Sequence, residues 1–222
     1  SGPDAAPVTV AAGVAVTTHA LLAGVLAATA FAAGSDEEVV QRLHVRYDTY
    51  DLVAKSCHDS VARDPEAGSA TFQFRYQIAG GRFLAPRRYS GKLTFSLGEI
   101  VIHMPRTIAW PGMTDTDRER TARLRHAIEH HEIGHVRVAE AVRDALNAQD
   151  ALIEPDTTTF TTVAHAMGHD GFQRFRREED EYDALTDHGR KQHLAPGELA
   201  GPSTILICQG TQHVSASRTA SV

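Results

Sequence analysis

Residues 124–138 read LRHAIEHHEIGHVRV and contain the pattern HExxH as His131, Glu132 and His135. Apolar residues recur at steps of three and four through this stretch, which is typical of an amphipathic helix. Four residues make just over one helical turn, so both imidazoles are predicted to project from one otherwise aliphatic face. Glu132 lies about 100° round the helix from His131. The stretch therefore predicts a helix that carries a metal site into the core.

The residue types of this pattern predict a catalytic zinc. The chain has 13 histidines, and histidine is the commonest metal ligand. A zinc held by neutral ligands lowers the pKa of its bound water to roughly 7. Glu132 is then placed to take the proton of that water as it attacks a carbonyl carbon. We expect zinc as the cofactor, His131 and His135 as ligands, and Glu132 as the general base.

A third ligand has to come from further along the chain. A catalytic zinc usually has three protein ligands and one open position. The third position of the metzincin pattern is absent, because residue 141 is alanine. Five later side chains remain as candidates: His165, His169, Asp183, Asp187 and His188. His188 is favoured because it lies at a predicted helix end before Gly189, while His165 and His169 are more typical of an exposed polar flank.

Two long helices are predicted in the second half of the chain. The first opens with a capping box at Thr116 and Glu119 and runs to about Asp150. The second opens near Asp156 and runs to about Asp187. Gly134 inside the first helix costs about 1 kcal/mol relative to alanine. It therefore indicates that another group packs close to the helix there, such as a strand or a substrate backbone.

The first half of the chain predicts strands. Three stretches have strand-like patterns: residues 44–50, 70–78 and 92–104. Gly80-Gly81 predicts a turn, Gly98 a bulge or close backbone approach, and Pro105 together with Pro111-Gly112 the end of the third strand. A short helix is expected over residues 51–62. The predicted fold class is α+β, with a small antiparallel sheet packed on two long helices that carry a zincin-type HExxH site.

The ends of the chain differ in composition from its middle. Ala20 to Ala33 is an apolar run too short to span a bilayer, and Ala30-Phe31-Ala32 fits a secretory cleavage site. The alternative is an alanine-rich helix that packs on the domain. We expect a signal-like or alanine-rich segment over 1–34, a zinc metallopeptidase domain over 35–195 and a polar, partly disordered tail over 196–222.

Charge and cysteine content restrict the function classes. The formal net charge is −6, which gives the domain no global attraction to nucleic acid or anionic lipid. Two cysteines, Cys57 and Cys208, are too few for a zinc ribbon, but they can form one disulfide in an oxidising compartment. We expect a secreted or periplasmic protein with no stable membrane span in the mature domain.

Two separate motifs carry a resemblance to a known family. HEIGH at 131–135 is followed about fifty residues later by YDALTDHG at 182–189, and Tyr47–Leu52 and Met104-Pro105 resemble weaker features of the same pattern. The chain resembles a bacterial family of predicted secreted zinc-dependent proteases, formerly described as a domain of unknown function. The resemblance implies zinc on the two HExxH histidines and favours His188, the histidine of the second motif, as third ligand.

Together these features predict a zinc metallopeptidase that hydrolyses peptide bonds in protein or peptide substrates. One alternative is a non-catalytic zinc-binding envelope protein, and another is a zinc hydrolase that acts on a non-peptide acyl substrate. Tyr182 is a candidate donor to a developing oxyanion, and Asp183 a candidate to orient a metal-bound histidine. Their simpler interpretations are a core tyrosine and a helix-surface aspartate.

Overall fold

The computed structural model describes residues 34–57, 68–84 and 88–189. Its elements follow in the order α1 (Asp36–Arg42), β1 (Arg46–Val53), β2 (Ser69–Leu84), β3 (Arg88–Ala109), α2 (Asp115–Asn147), β4 (Leu152–Glu154) and α3 (Thr157–Thr186). The α+β class is confirmed, and both long helices occur where the sequence predicts them.

Strand β3 is the centre of a mixed four-stranded sheet. Strand β2 pairs antiparallel with one edge of β3, whereas β1 pairs parallel with the other edge. Strand β4 pairs antiparallel with the first residues of β3. The prediction of an antiparallel sheet is therefore wrong for β1. The reason is the strand order, because β3 lies between β1 and β2. β1 and β2 run in opposite directions, and β3 reverses the direction of β2, so β1 and β3 run in the same direction.

Glycines in the β2–β3 hairpin mark irregular pairing rather than a turn. The predicted turn at Gly80-Gly81 is wrong, because β2 continues through both residues with a shift in register. A Cβ at Gly81 would lie 1.7 Å from the hydroxyl oxygen of Tyr89, so glycine is required by a close approach. The bulge predicted at Gly98 is confirmed by a register shift opposite Gln73.

Two further local predictions are also wrong. Pro105 does not end β3, which continues to Ala109 and stops just before Pro111-Gly112, the other predicted end. The β1–β3 register shifts next to this proline, and such an irregularity is where a residue without an N–H group is tolerated in a sheet. Of the helix expected over residues 51–62, Asp51–Val53 belong to β1, and residues 58–62 lie outside the described residues.

Capping residues set the starts of the two long helices. Helix α2 begins with a capping box formed by Thr114 and Asp117, not by Thr116 and Glu119. Both pairs fit the same short pattern, and the extended backbone of Thr114 places the start at the first pair. In α3 the side chain of Asp156 caps the first turn, and the helix therefore begins where the sequence predicts.

The core lies between the sheet and the helices, and it encloses the HExxH stretch of α2. Residues 131–139 of α2 are all buried. One side of this stretch packs on apolar residues of β3 and on Val39 of α1, in a cluster of Val39, Ile100, Ile102, Met104, Ile128, Ile133 and Val136. The other side packs on α3 through Phe160, Ala164, Phe175 and Tyr182. This burial removes water from most of the helix around the two histidines.

The predictions for the two ends of the chain concern residues that the structure does not describe. Residues 1–33 and 190–222 lie outside the described residues, so the signal-like segment, the tail and the boundary at 195 stay predictions. Within the described part of the chain, none of the helices has the length and apolar content needed to cross a bilayer. Cys57 is disulfide-bonded, and Cys208 lies outside the described residues.

Candidate metal centre

The two HExxH histidines lie side by side on the inner face of α2. His131 is 7% exposed and His135 is 8% exposed. Their ring centroids are 4.8 Å apart, as the spacing of one helical turn predicts. Buried imidazoles need polar partners, because an unsatisfied polar group in a core costs free energy. These partners come from α3.

Asp183 of α3 lies between the two histidines. Its Oδ1 atom is 3.2 Å from Nε2 of His131 and 3.0 Å from Nε2 of His135. Among the described residues, these three side chains form a group whose ligand atoms all lie within 4.8 Å of one another. Two imidazole nitrogens and one carboxylate oxygen therefore converge on one point in the interior.

This donor set fits zinc. Zinc takes nitrogen and oxygen ligands in tetrahedral geometry at about 2.0–2.1 Å, which places neighbouring ligand atoms about 3.3 Å apart. The distances from Asp183 to His131 and His135 are close to that separation. Three protein ligands would leave a fourth position for a water or a substrate oxygen. An open position of this kind is what distinguishes catalytic zinc sites from closed structural sites in general.

His188 lies beside this group, on a left-handed turn. Asp187, His188 and Gly189 have φ angles of 51°, 49° and 80°, a conformation that non-glycine residues rarely adopt. Nδ1 of His188 is 3.7 Å from Oδ1 of Asp183, and the imidazole is half exposed. His188 is not part of the group defined above. Its role as third ligand stays a prediction, and the distances favour Asp183 for that position.

Glu132 is buried next to the start of β2. It is 4% exposed, and its carboxylate accepts a hydrogen bond from the main-chain N–H of Ala70. Burial raises the pKa of Glu132 to about 7, with a further increase from Asp183 and Glu179 and an opposing effect of His135. A carboxylate with a pKa near neutral can both accept and return a proton at physiological pH.

Glu179 is a site residue that neither sequence motif includes. Its Oε2 atom lies 2.8 Å from Nδ1 of His135, on the side of the ring opposite Asp183. Burial lowers the pKa of His135, but its hydrogen bonds to Asp183 and Glu179 outweigh burial and raise that pKa to about 10. A metal at Nε2 would take the place of the proton there. The signal in the sequence was the four-residue spacing of Glu179 and Asp183 on one face of α3.

Tyr182 joins the two helices directly behind the site. It is 2% exposed, stacks on His131 and meets His135 edge-on. Its hydroxyl donates to the main-chain oxygen of His131 at 3.3 Å. A Cβ at Gly134 would lie 1.8 Å from that hydroxyl, so the close packing predicted at Gly134 is confirmed, with a tyrosine as the neighbour. These contacts fit the core interpretation of Tyr182 rather than the oxyanion donor.

The remaining sequence candidates are not members of the group of His131, His135 and Asp183 in the described part of the chain. His165 and His169 are exposed on α3, and Nδ1 of His165 is 3.0 Å from the hydroxyl of Tyr76. Asp187 is the C-cap of α3.

Comparison with known families gives one match that covers the whole site. Residues 42–189, more than half of the chain, match the family described as bacterial protein of unknown function (DUF922). The chain belongs to this family. The match begins in α1 and ends at Gly189, so both halves of the DUF922 candidate site lie inside it. Neither the comparison with curated proteins nor the comparison with solved structures gave a match.

Proposed function

We propose that this DUF922 protein is a zinc-dependent metallopeptidase whose metal is held by His131, His135 and Asp183. The observation that carries the proposal is the convergence of these three side chains beside a buried Glu132. The ligand atoms come from two helices that pack through Tyr182, so the site depends on the tertiary fold.

A bound zinc would supply Lewis-acid chemistry, polarising a carbonyl group and making a water acidic. The residues of the chain supply the remaining functions. Glu132 accepts the proton of the attacking water and passes it to the leaving amine, for which a pKa of about 7 is suitable. The surrounding apolar residues of β3 and α2 exclude bulk water, which strengthens each electrostatic contact.

The position of Glu132 favours catalysis over a purely structural site. Its carboxylate is removed from water, and burial of a carboxylate destabilises a fold unless the group is paired. A structural zinc site needs no such group, and a glutamine or an apolar residue would be more stable there. Glu132 thus supports a hydrolytic function against the alternative of a non-catalytic envelope protein.

The substrate class and the location rest on different observations. Peptide substrates are proposed from the resemblance of HEIGH and YDALTDHG to secreted zinc proteases. Export to the periplasm or the medium is proposed from the signal-like run at Ala20–Ala33. The disulfide at Cys57 supports export, because disulfides persist mainly in oxidising compartments.

The experiment is a substrate comparison with matched metal states. The full chain is incubated with a peptide library and with a panel of acyl and ester substrates, after chelation and after zinc is restored. We expect cleavage of peptides that is lost on chelation and recovered with zinc. Hydrolysis restricted to acyl or ester substrates would identify the other zinc hydrolase. No zinc-dependent hydrolysis of either class would contradict a catalytic function.

A further inference from the structure

Glu179 has a contact that the catalytic roles above do not use. Its Oε2 atom is 2.8 Å from Nδ1 of His135, and its side chain is 15% exposed. The other ring nitrogen of His135, Nε2, faces Oδ1 of Asp183 at 3.0 Å. One imidazole is therefore held at both nitrogens, by two carboxylates one turn apart on α3.

The contact of Glu179 with Nδ1 determines which nitrogen of His135 is available to a metal. A neutral imidazole carries one N–H group and one lone pair, and the hydrogen bond at one nitrogen decides which nitrogen is free. A metal bound at Nε2 would replace the proton that faces Asp183, and the carboxylate at Nδ1 would then keep the remaining proton on Nδ1. The same contact fixes the orientation of the ring, because a buried acceptor at 2.8 Å tolerates little rotation.

Burial makes Glu179 unfavourable for stability alone. Its Oε1 atom is buried and has no hydrogen-bond partner among the described residues. A buried oxygen without a partner loses its hydration without compensation. A residue that lowers stability and contacts a proposed metal ligand is typical of a functional site.

We propose that Glu179 is a positioning residue, which holds Nδ1 of His135 so that Nε2 is presented to zinc. This proposal rests on the proposed zinc site and adds to it a residue that orients one of its ligands. Glu179 acts through His135 and does not contact the reacting atoms. Carboxylates that hold a metal-bound histidine typically affect metal affinity by about 10–100-fold.

Three variants of the full chain test this role: Glu179→Ala, Glu179→Gln and, as a control, Glu181→Ala. Glu181 is an exposed carboxylate on the same helix, two residues further along. Zinc affinity is measured by competition with a chelator, which does not depend on any substrate. We expect Glu179→Ala to weaken zinc binding by about 10–100-fold. Glu179→Gln should restore part of the affinity, because its amide oxygen still accepts from Nδ1. Glu181→Ala should match wild type.

A second readout reports the ring itself. Long-range proton–nitrogen NMR of the zinc-loaded wild type should place the proton of His135 on Nδ1. This proton should exchange slowly with water in the wild type, and its signal should be lost in Glu179→Ala. Zinc affinity within twofold of wild type in both Glu179 variants would overturn the proposal and leave the zinc site intact. Wild type without zinc affinity would overturn both. If Glu179→Ala binds zinc more weakly and the wild type cleaves no peptide, the positioning role is supported and the proposed peptidase function is contradicted.

Discussion

Glu132 is the side chain on which the proposed hydrolysis depends, and Glu132→Gln tests it with little change in shape. Metal affinity depends on the imidazoles and on Asp183, so the variant should keep its zinc and its fold. The amide cannot accept the proton, and loss of a general base typically lowers the rate by about 10²–10⁴-fold. The turnover of a validated substrate and the zinc content are measured together. Unchanged turnover would refute the base role.

The third ligand can be decided by comparing Asp183→Ala with His188→Ala. Oδ1 of Asp183 is 3.0 Å and 3.2 Å from the two histidines, whereas His188 is half exposed and its Nδ1 lies 3.7 Å from Oδ1 of Asp183. We expect Asp183→Ala to lower zinc affinity by much more than about 100-fold, the upper range for residues that contact a ligand and not the metal. His188→Ala should weaken it less. A chelator competition titration measures both variants.

Two histidines on α3 provide matched controls for this titration. His165 and His169 are exposed and lie outside the site, so His165→Ala and His169→Ala should bind zinc like wild type. If His188→Ala loses zinc while Asp183→Ala retains it, the ligand predicted from the sequence is right and the assignment from distances is wrong.

Residue spacing in the sequence accounts for one half of the candidate site but not for the other half, for a physical reason. His131 and His135 are four residues apart on one helix, and helical geometry alone brings them together. Asp183 and Glu179 lie 48 and 44 residues beyond His135 in the chain. Their contacts depend on how α3 is rotated against α2. Packing at Gly134 and Tyr182 sets that rotation, and residue spacing does not reveal it.

At the level of elements, α2 and α3 approach each other at Gly134, where the helix has no side chain. A Cβ there would lie 1.8 Å from the hydroxyl of Tyr182, whose ring is buried and cannot move freely. Alanine favours an isolated helix by about 1 kcal/mol over glycine. Overpacking a core typically costs about 1–3 kcal/mol. We therefore expect Gly134→Ala to lower the free energy of unfolding, as measured by urea denaturation.

Ala122→Gly is the matched control for that measurement, because Ala122 is exposed in the same helix. It should lower the free energy of unfolding by about 1 kcal/mol from helix propensity alone. If Gly134→Ala proves as stable as wild type or more stable, the close contact with Tyr182 does not determine how the helices pack.

Local patterns identify the elements of this fold more reliably than their pairing. Alternation in residues 70–78 and the sequence patterns at the starts of α2 and α3 are short-range signals. Each predicts its element, although the capping box of α2 lies two residues earlier than predicted. The parallel pairing of β1 with β3 joins residues 55 positions apart, such as Arg46 and Val101, and no local pattern encodes it. Gly80-Gly81 predicts a turn although β2 continues through it, because a bulge and a turn use the same residue type.

For the molecule as a whole, the pairing of the two cysteines tests the proposed export. Cys57 is disulfide-bonded, and Cys208 is the other cysteine of the chain. We expect the two to be paired in protein recovered from its native compartment, and removal of such a bond typically costs about 2–5 kcal/mol. Mass spectrometry with and without reduction measures the pairing. Two free thiols in that protein would refute both the pairing and the argument for export.

In the α+β domain as a whole, α3 packs against the HExxH stretch and brings Asp183 to the two histidines. The metal content of the protein therefore tests the proposed site most directly. Elemental analysis of the purified full chain, after reloading, is combined with anomalous scattering at the zinc edge from its crystals. We predict about one zinc per chain, with the anomalous peak between His131, His135 and Asp183. Well under one equivalent of any transition metal, or a peak away from these three residues, would contradict the proposed site.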